Sequence, residues 1–226
     1  MQINTFIDLI GMNRLPMNYK DALISGVGGF LGIFAIFMSS YWLLDPETAV
    51  LIVPSMGASA VLLFAAPHVP FSQPWNLVGG HAVSAIVGVF CWQWIPDYTV
   101  AASASVGIAI SVMYLLRCIH PPGGATALAA VIGSERLHHL GYSYEYAPIL
   151  LNTITILIVA VSFNALFKWR LYPAYLAFHK KKAEAYGPIS HEDFVYALSH
   201  IDTMVDISED DLIRIYELAT KRKVKE

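Results

Sequence analysis

Charge is scarce in this chain: Asp, Glu, Lys and Arg make up 14% of its 226 residues, against 56% hydrophobic residues. Soluble domains carry roughly 25% charge, so an ordinary water-exposed domain is excluded and most of the chain has lipid as its solvent. Basic residues are scarcer still along most of the length. Of the 14 Lys and Arg, only Arg14, Lys20, Arg117 and Arg136 precede Lys168. The net charge is -3 and no basic stripe forms, which excludes nucleic acid, because phosphate binding needs Lys and Arg clustered on one face. The 2 cysteines, Cys91 and Cys118, lie in apolar segments without the spacing of a zinc site or redox pair, and read as small packing residues. The N-terminus lacks a basic stretch followed by a short apolar core; with Asp8 and Arg14 in it, no cleavable signal is expected, and the first apolar run is a retained span.

What is there is a series of apolar runs. Residues 1–20 form a short amphipathic segment, with Ile3, Phe6, Ile7 and Ile10 on one face and Pro16 ending it, suited to the membrane surface. Residues 23–44 are uncharged and long enough to cross roughly 30 Å of hydrocarbon; Gly26, Gly28, Gly29 and Gly32 give this span a face that another helix can approach closely. Further apolar segments follow at 48–67, interrupted by Pro54 and Gly57, then at 77–95, 99–116 and 148–167. Between them lie an interfacial loop at 69–76 containing Trp75, a turn at Pro96-Asp97-Tyr98, a small-residue helix after His120, and a polar connection at 134–146. The boundaries predicted are an interfacial segment 1–20, a transmembrane domain 21–170 and a cytoplasmic helical tail 171–226. In the tail, Ser190 and Ser208 each precede acidic residues and an apolar stripe, the pattern of a capped amphipathic helix. Arg14, Lys20 and the lysines at 180–182 place both termini on the cytoplasmic side of a plasma (inner) membrane. The number of crossings is then even, and Arg117 on the inside favours six over four.

Two interruptions match. Shifting the sequence by 67 positions lays Pro54-Ser55-Met56-Gly57-Ala58-Ser59-Ala60 on Pro121-Pro122-Gly123-Gly124-Ala125-Thr126-Ala127. Each motif sits between two spans, as in an internally duplicated transporter, and three crossings per half make the two repeats inverted. The fold class expected is all-α integral membrane, with a span, a Pro/Gly-broken helix and a span in each repeat. Proline is well placed at a helix start, and the N-H groups just after it point along the axis at the positive end of the dipole. In lipid such groups must meet protein, water or a ligand, and an anion is the natural partner. Ser55, Met56, Gly57, Ser59, Gly123, Gly124 and Thr126 are therefore candidate solute contacts. His81 and His120 join them, because intramembrane titratable residues generally face a pathway. Asn76 and Arg117 are candidates for gating or attraction. Ser84, Asn152 and Asn164 are expected to bond between helices. The His138-His139 pair lacks a third ligand, so no metal or other cofactor is expected.

Ile119-His120-Pro121-Pro122-Gly123-Gly124-Ala125-Thr126-Ala127-Leu128, with the Pro54 motif and Gln73-Pro74-Trp75-Asn76-Leu77-Val78-Gly79-Gly80-His81, resembles the HPP family of integral membrane proteins over residues 18–168. The resemblance implies a small helical membrane domain, usually described with four spans, and nitrite transport as in members from cyanobacteria and chloroplasts. Trp75 stands where the family string carries Arg, which removes one cation that could attract an anion. The tail resembles the linker that leads to CBS nucleotide-sensing domains in some relatives; with the sequence ending at Glu226, adenylate regulation in cis is not expected.

The function expected is a transporter or channel for a small inorganic anion, nitrite first, working as a homo-oligomer in the bilayer. The alternative is a membrane scaffold or sensor acting through its tail. No nucleophile or metal set points to an enzyme.

Overall fold

The computed structural model describes the backbone of residues 18–43, 46–143 and 145–178, and within them the side chains other than those of 41–53, 136, 144–147, 177 and 178. Residues 1–17 of the expected interfacial segment and the tail helices opened by Ser190 and Ser208 lie outside these residues, while Tyr19 and Lys20 already belong to the first described helix. The described residues from Tyr19 onward belong to one compact unit.

Among the described residues every regular element is helical. In chain order they are α1 (Tyr19–Leu43), α2 (Pro46–Ala65), a 3-10 turn (Pro70–Ser72), α3 (Pro74–Trp94), α4 (Tyr98–Leu115), α5 (Pro121–Ile132), α6 (Glu135–Leu140), a π turn (Glu145–Leu150), α7 (Leu151–Ala165) and α8 (Ala174–Phe178). Four described stretches are long and apolar enough to cross a membrane: Tyr19–Ser40, Pro74–Trp94, Tyr98–Leu115 and Pro148–Ala165. With 12 residues, α5 is roughly 18 Å long and too short to cross.

The two matched motifs differ in one respect from the sequence expectation. Helix α5 starts at Pro121, with His120 extended at φ -137° and ψ 105°. Helix α2 continues through Pro54 without a break. A residue preceding proline is pushed out of the α region, and two successive prolines remove two donors at once, so Pro121-Pro122 restarts the helix. A single proline inside a helix costs one hydrogen bond and a ring clash, and α2 absorbs it. The loop expected at 69–76 is likewise short, since Pro74, tolerated at a first helical position, already belongs to α3 and brings Trp75 and Asn76 into its first turn.

Helix α3 is central. It packs along α4 and α5, while α1 packs on α2 and α7, and α2 also meets α5. The α3–α5 seam depends on two glycines. A Cβ on Gly80 would lie 2.5 Å from the His120 Cβ. A Cβ on Gly88 would strike the Ala127 carbonyl oxygen and come within 2.7 Å of the Ala130 Cβ. On α1, Gly28 and Gly32 receive the Phe64 ring, whose edge-to-face partner is Phe163. The apolar core thus runs between α1, α2 and α7, with Ile36, Met56, Leu63 and Ile156 fully buried.

One buried cation closes the unit. Arg170, 4% exposed, donates to Asp21 Oδ1 at 3.4 Å, Ser25 Oγ at 3.3 Å, Asn164 Oδ1 at 3.3 Å and the Phe64 carbonyl. Burial lowers its pKa from the ordinary value, and Asp21 offsets part of that. Four acceptors on α1, α2 and α7 so converge on one guanidinium. Arg170→Leu is expected to cost about 3 kcal/mol by leaving these acceptors unpaired. Arg170→Lys recovers less than half, because an ammonium cannot reproduce the planar fork; thermal unfolding in detergent measures both. Just beyond, Tyr172 Oη donates to the Ser72 carbonyl at 2.7 Å and the Ala174 N-H to Gln73 Oε1 at 2.9 Å, so residues 172–174 pack on the membrane unit.

Candidate functional site

The site starts from the connection between α4 and α5. Arg117 has φ 54°, an αL conformation uncommon outside glycine, and turns the chain sharply after α4. The Cys118 N-H donates to the Met113 carbonyl at 2.9 Å. The first turn of α3 pins the same strand: Trp75 Nε1 donates to the Leu116 carbonyl at 3.2 Å, and Asn76 Nδ2 to the Ile119 carbonyl at 2.9 Å. Trp75 and Asn76 are thus clamps on the connection that presents His120. Arg117, exposed at the turn, does not line the buried site.

Held in this way, His120 enters a cluster with Ser59, His81 and Thr126, each fully buried at 0% exposure. His81 Nδ1 lies 2.8 Å from Thr126 Oγ1, and its Nε2 lies 2.8 Å from Ser59 Oγ. Ser59 Oγ is also 2.9 Å from His120 Nε2, and His120 Nδ1 is 2.8 Å from the Phe71 carbonyl. The two rings stand edge to face with centroids 4.8 Å apart. Ser59 and Thr126 occupy equivalent places in the matched motifs, one on α2 and one on α5, and both reach the same imidazole.

Hydrogen-bond accounting fixes the neutral arrangement. A carbonyl only accepts, so His120 Nδ1 carries the proton and its Nε2 accepts from Ser59. Ser59 Oγ, having donated its hydrogen, accepts from His81 Nε2-H. His81 Nδ1 then accepts from Thr126. The result is a single directional run from Thr126 through His81, Ser59 and His120 to the Phe71 carbonyl. Each hydroxyl has a second acceptor one turn back: Ser59 reaches the Ser55 carbonyl at 3.1 Å and Thr126 the Pro122 carbonyl at 3.5 Å.

The remaining candidates divide. Ser55 contributes through its carbonyl. Gly123 lies beside the cluster on α5, where a Cβ would sit 2.7 Å from Ser84 Oγ, and its N-H, expected to be open to a ligand, donates to the His120 carbonyl at 2.8 Å. Gly124 is half-buried, with only Val106 near its Cβ position, at 3.8 Å. Met56 is a core residue and Gly57 borders open space among the described residues. Ser84 Oγ meets Met113 Sδ at 3.6 Å. Asn164 Nδ2 donates to the Leu63 carbonyl at 3.1 Å, and Asn152 Oδ1 accepts from Ser40 at 2.8 Å. Among the described residues Asn152 Nδ2 and Thr153 Oγ1 have no partner. His138 stacks on Trp92 with centroids 4.1 Å apart. No group of three or more His, Cys, Asp or Glu suited to a metal occurs among the described residues. The Phe71 carbonyl was not readable in advance, because a backbone acceptor leaves no trace in residue type.

Comparison with known proteins places this chain in a family. The transmembrane region of the HPP family matches residues 14–173. The chain is 36% identical over 155 residues to one transmembrane protein of Dictyostelium discoideum, covering 67% of this chain and 50% of the relative. It is 36% identical over 154 residues to a second from the same organism, covering 66% and 53%. The chain thus spans about half the length of the curated relatives it matches. No solved structure matches. The chain belongs to the HPP family and is a multi-pass membrane protein.

Proposed function

We propose that the protein transports a small inorganic anion, nitrite first, through a path that opens at the Ser59–His81–His120–Thr126 cluster. The observation that carries this reading is the convergence of two repeat-related hydroxyls on one fully buried imidazole. Ionisable groups in a membrane interior are costly, and they commonly mark solute paths. In the occluded state the cluster satisfies itself. On opening, the hydroxyls and the His81 Nε2-H turn from one another to the anion, at the positive end of α5. Neutral donors hold it loosely enough for release.

The contact pattern supports two interlocked halves. In one half α1, α2 and α3 correspond to α4, α5 and α7 in the other; α3 packs on α4 and α5, and α7 packs on α1 and α2. This exchange of third helices suits a duplicated unit whose halves rock about the cluster. The chain assembles as a homo-oligomer in this reading, through α1, where Gly26 and Gly29 meet nothing within 4 Å among the described residues. Both termini lie on the cytoplasmic side of a plasma membrane.

Nitrite influx into liposomes is the test. Reconstituted protein is expected to raise the initial rate at least about 10-fold over protein-free vesicles, a modest demand on a specific carrier. Equal rates in the two preparations overturn the reading.

A further inference from the structure

We propose that the same cluster is a one-proton site, so that the co-ion of the transported anion is a proton; the coupling rests on the transport reading, the proton site does not. The argument is geometric. Ser59 Oγ lies within hydrogen-bond reach of three groups, His81 Nε2, His120 Nε2 and the Ser55 carbonyl, but has a single hydrogen to give. In the neutral run that hydrogen points to His120 Nε2 and not to the Ser55 carbonyl.

One added proton completes the set. It bonds to His120 Nε2, which becomes a donor; the Ser59 hydrogen turns to the Ser55 carbonyl 3.1 Å away, and Ser59 Oγ accepts from both rings. No heavy atom moves. The second place for the same proton is His81 Nδ1. There it donates to Thr126 Oγ1, 2.8 Å away, and the Thr126 hydrogen turns to the Pro122 carbonyl 3.5 Å away. Each repeat-related hydroxyl therefore has a backbone acceptor one turn back that takes its hydrogen when the neighbouring imidazole is charged.

The surroundings limit the count to one. From α2 the cluster meets the Ser55 carbonyl, from the 3-10 turn the Phe71 carbonyl, and from α5 the Pro122 carbonyl, with Gly123 beside it against Ser84 of α3. Among the described residues no Asp, Glu, Lys or Arg faces it. A second proton would set two imidazolium rings with centroids 4.8 Å apart with no carboxylate to offset them, in an interior that screens little. An anion is the partner that offsets the first.

The test is 15N-histidine NMR of the full chain in lipid nanodiscs, with signals assigned from single His→Gln variants. At neutral pH the expected tautomers are Nδ1-H for His120 and Nε2-H for His81. On acidification with nitrite present, one imidazolium per chain is expected, at one ring or the other, while Ser59→Ala, which removes the acceptor that both Nε2-H groups share, is expected to weaken the uptake without raising the count above one. The wild-type spectra decide even if the variant does not fold. The opposite tautomers, two full imidazoliums appearing together, or no proton taken before unfolding would overturn the proton site. A single proton with no nitrite flux in liposomes supports the proton site and overturns only the transport reading.

Discussion

Gly88→Leu is expected to unfold the α3–α5 seam, with a loss on the order of 3 kcal/mol or more and a fall of about 10 °C in unfolding temperature in detergent. The first new atom already collides. A Cβ at this place strikes the Ala127 carbonyl oxygen and the Ala130 Cβ at 2.7 Å, and both belong to the opposing helix rather than to a side chain that can swing away. Interiors packed at crystal density have no slack for four added carbons. Helices in lipid also lack a hydrophobic drive to stay together once close contact is lost, so the cost goes into separating α5 from α3. The paired control is Gly107→Leu. Gly107 meets nothing within 4 Å among the described residues, and its unfolding temperature is expected within about 1 °C of wild type. Equal falls in the two variants would show that the seam is not what holds α5.

His81→Leu is expected to reduce nitrite flux roughly 100-fold while costing only about 1–2 kcal/mol of stability. The separation between the two effects follows from the spare acceptors. Without the imidazole, Ser59 turns to the Ser55 carbonyl or to His120, and Thr126 to the Pro122 carbonyl. Neither hydroxyl is orphaned, so the fold loses two interhelical bonds and no more. The path, by contrast, loses the group on which both halves converge and the second place for the proton. Flux is measured on variants matched for reconstituted protein, and unfolding temperature on the same preparations. A variant that transports at the wild-type rate would remove His81 from the path.

Much of the fold was legible because lipid makes composition nearly sufficient. Apolar runs at 23–44, 77–95, 99–116 and 148–167 became α1, α3, α4 and the Pro148–Ala165 stretch, each within a few residues. The short helix after His120 was legible from its doubled proline, since Pro121-Pro122 cannot continue a helix in progress. Pro54 misled. A lone proline and a doubled one look alike in a self-alignment, but they differ by one missing donor and by the constraint on the residue before, and α2 runs through where α5 begins anew.

The candidate site divides along the same line. Local chemistry proposed Ser59, His81, His120 and Thr126 as separate polar residues in apolar surroundings, and the 67-position repeat paired the two hydroxyls. That both reach one imidazole depends on the close approach of α3 to α5 across Gly80 and Gly88, a distance no spacing encodes. Asn76, singled out for gating or attraction, clamps the Ile119 carbonyl; Trp75, read as the loss of a cation, has its own bond to the Leu116 carbonyl. Arg170, unremarkable among basic residues flanking the last span, became the most buried charge described, because only the folded chain brings Asp21, Ser25, Asn164 and the Phe64 carbonyl to one point. Sequence by itself determined the solvent, the helices and the duplicated motifs, since these follow from transfer energies and backbone chemistry acting locally. The tertiary structure decided which polar groups meet, because hydrogen bonds between helices act over about 3 Å and depend on how closely the backbones pack.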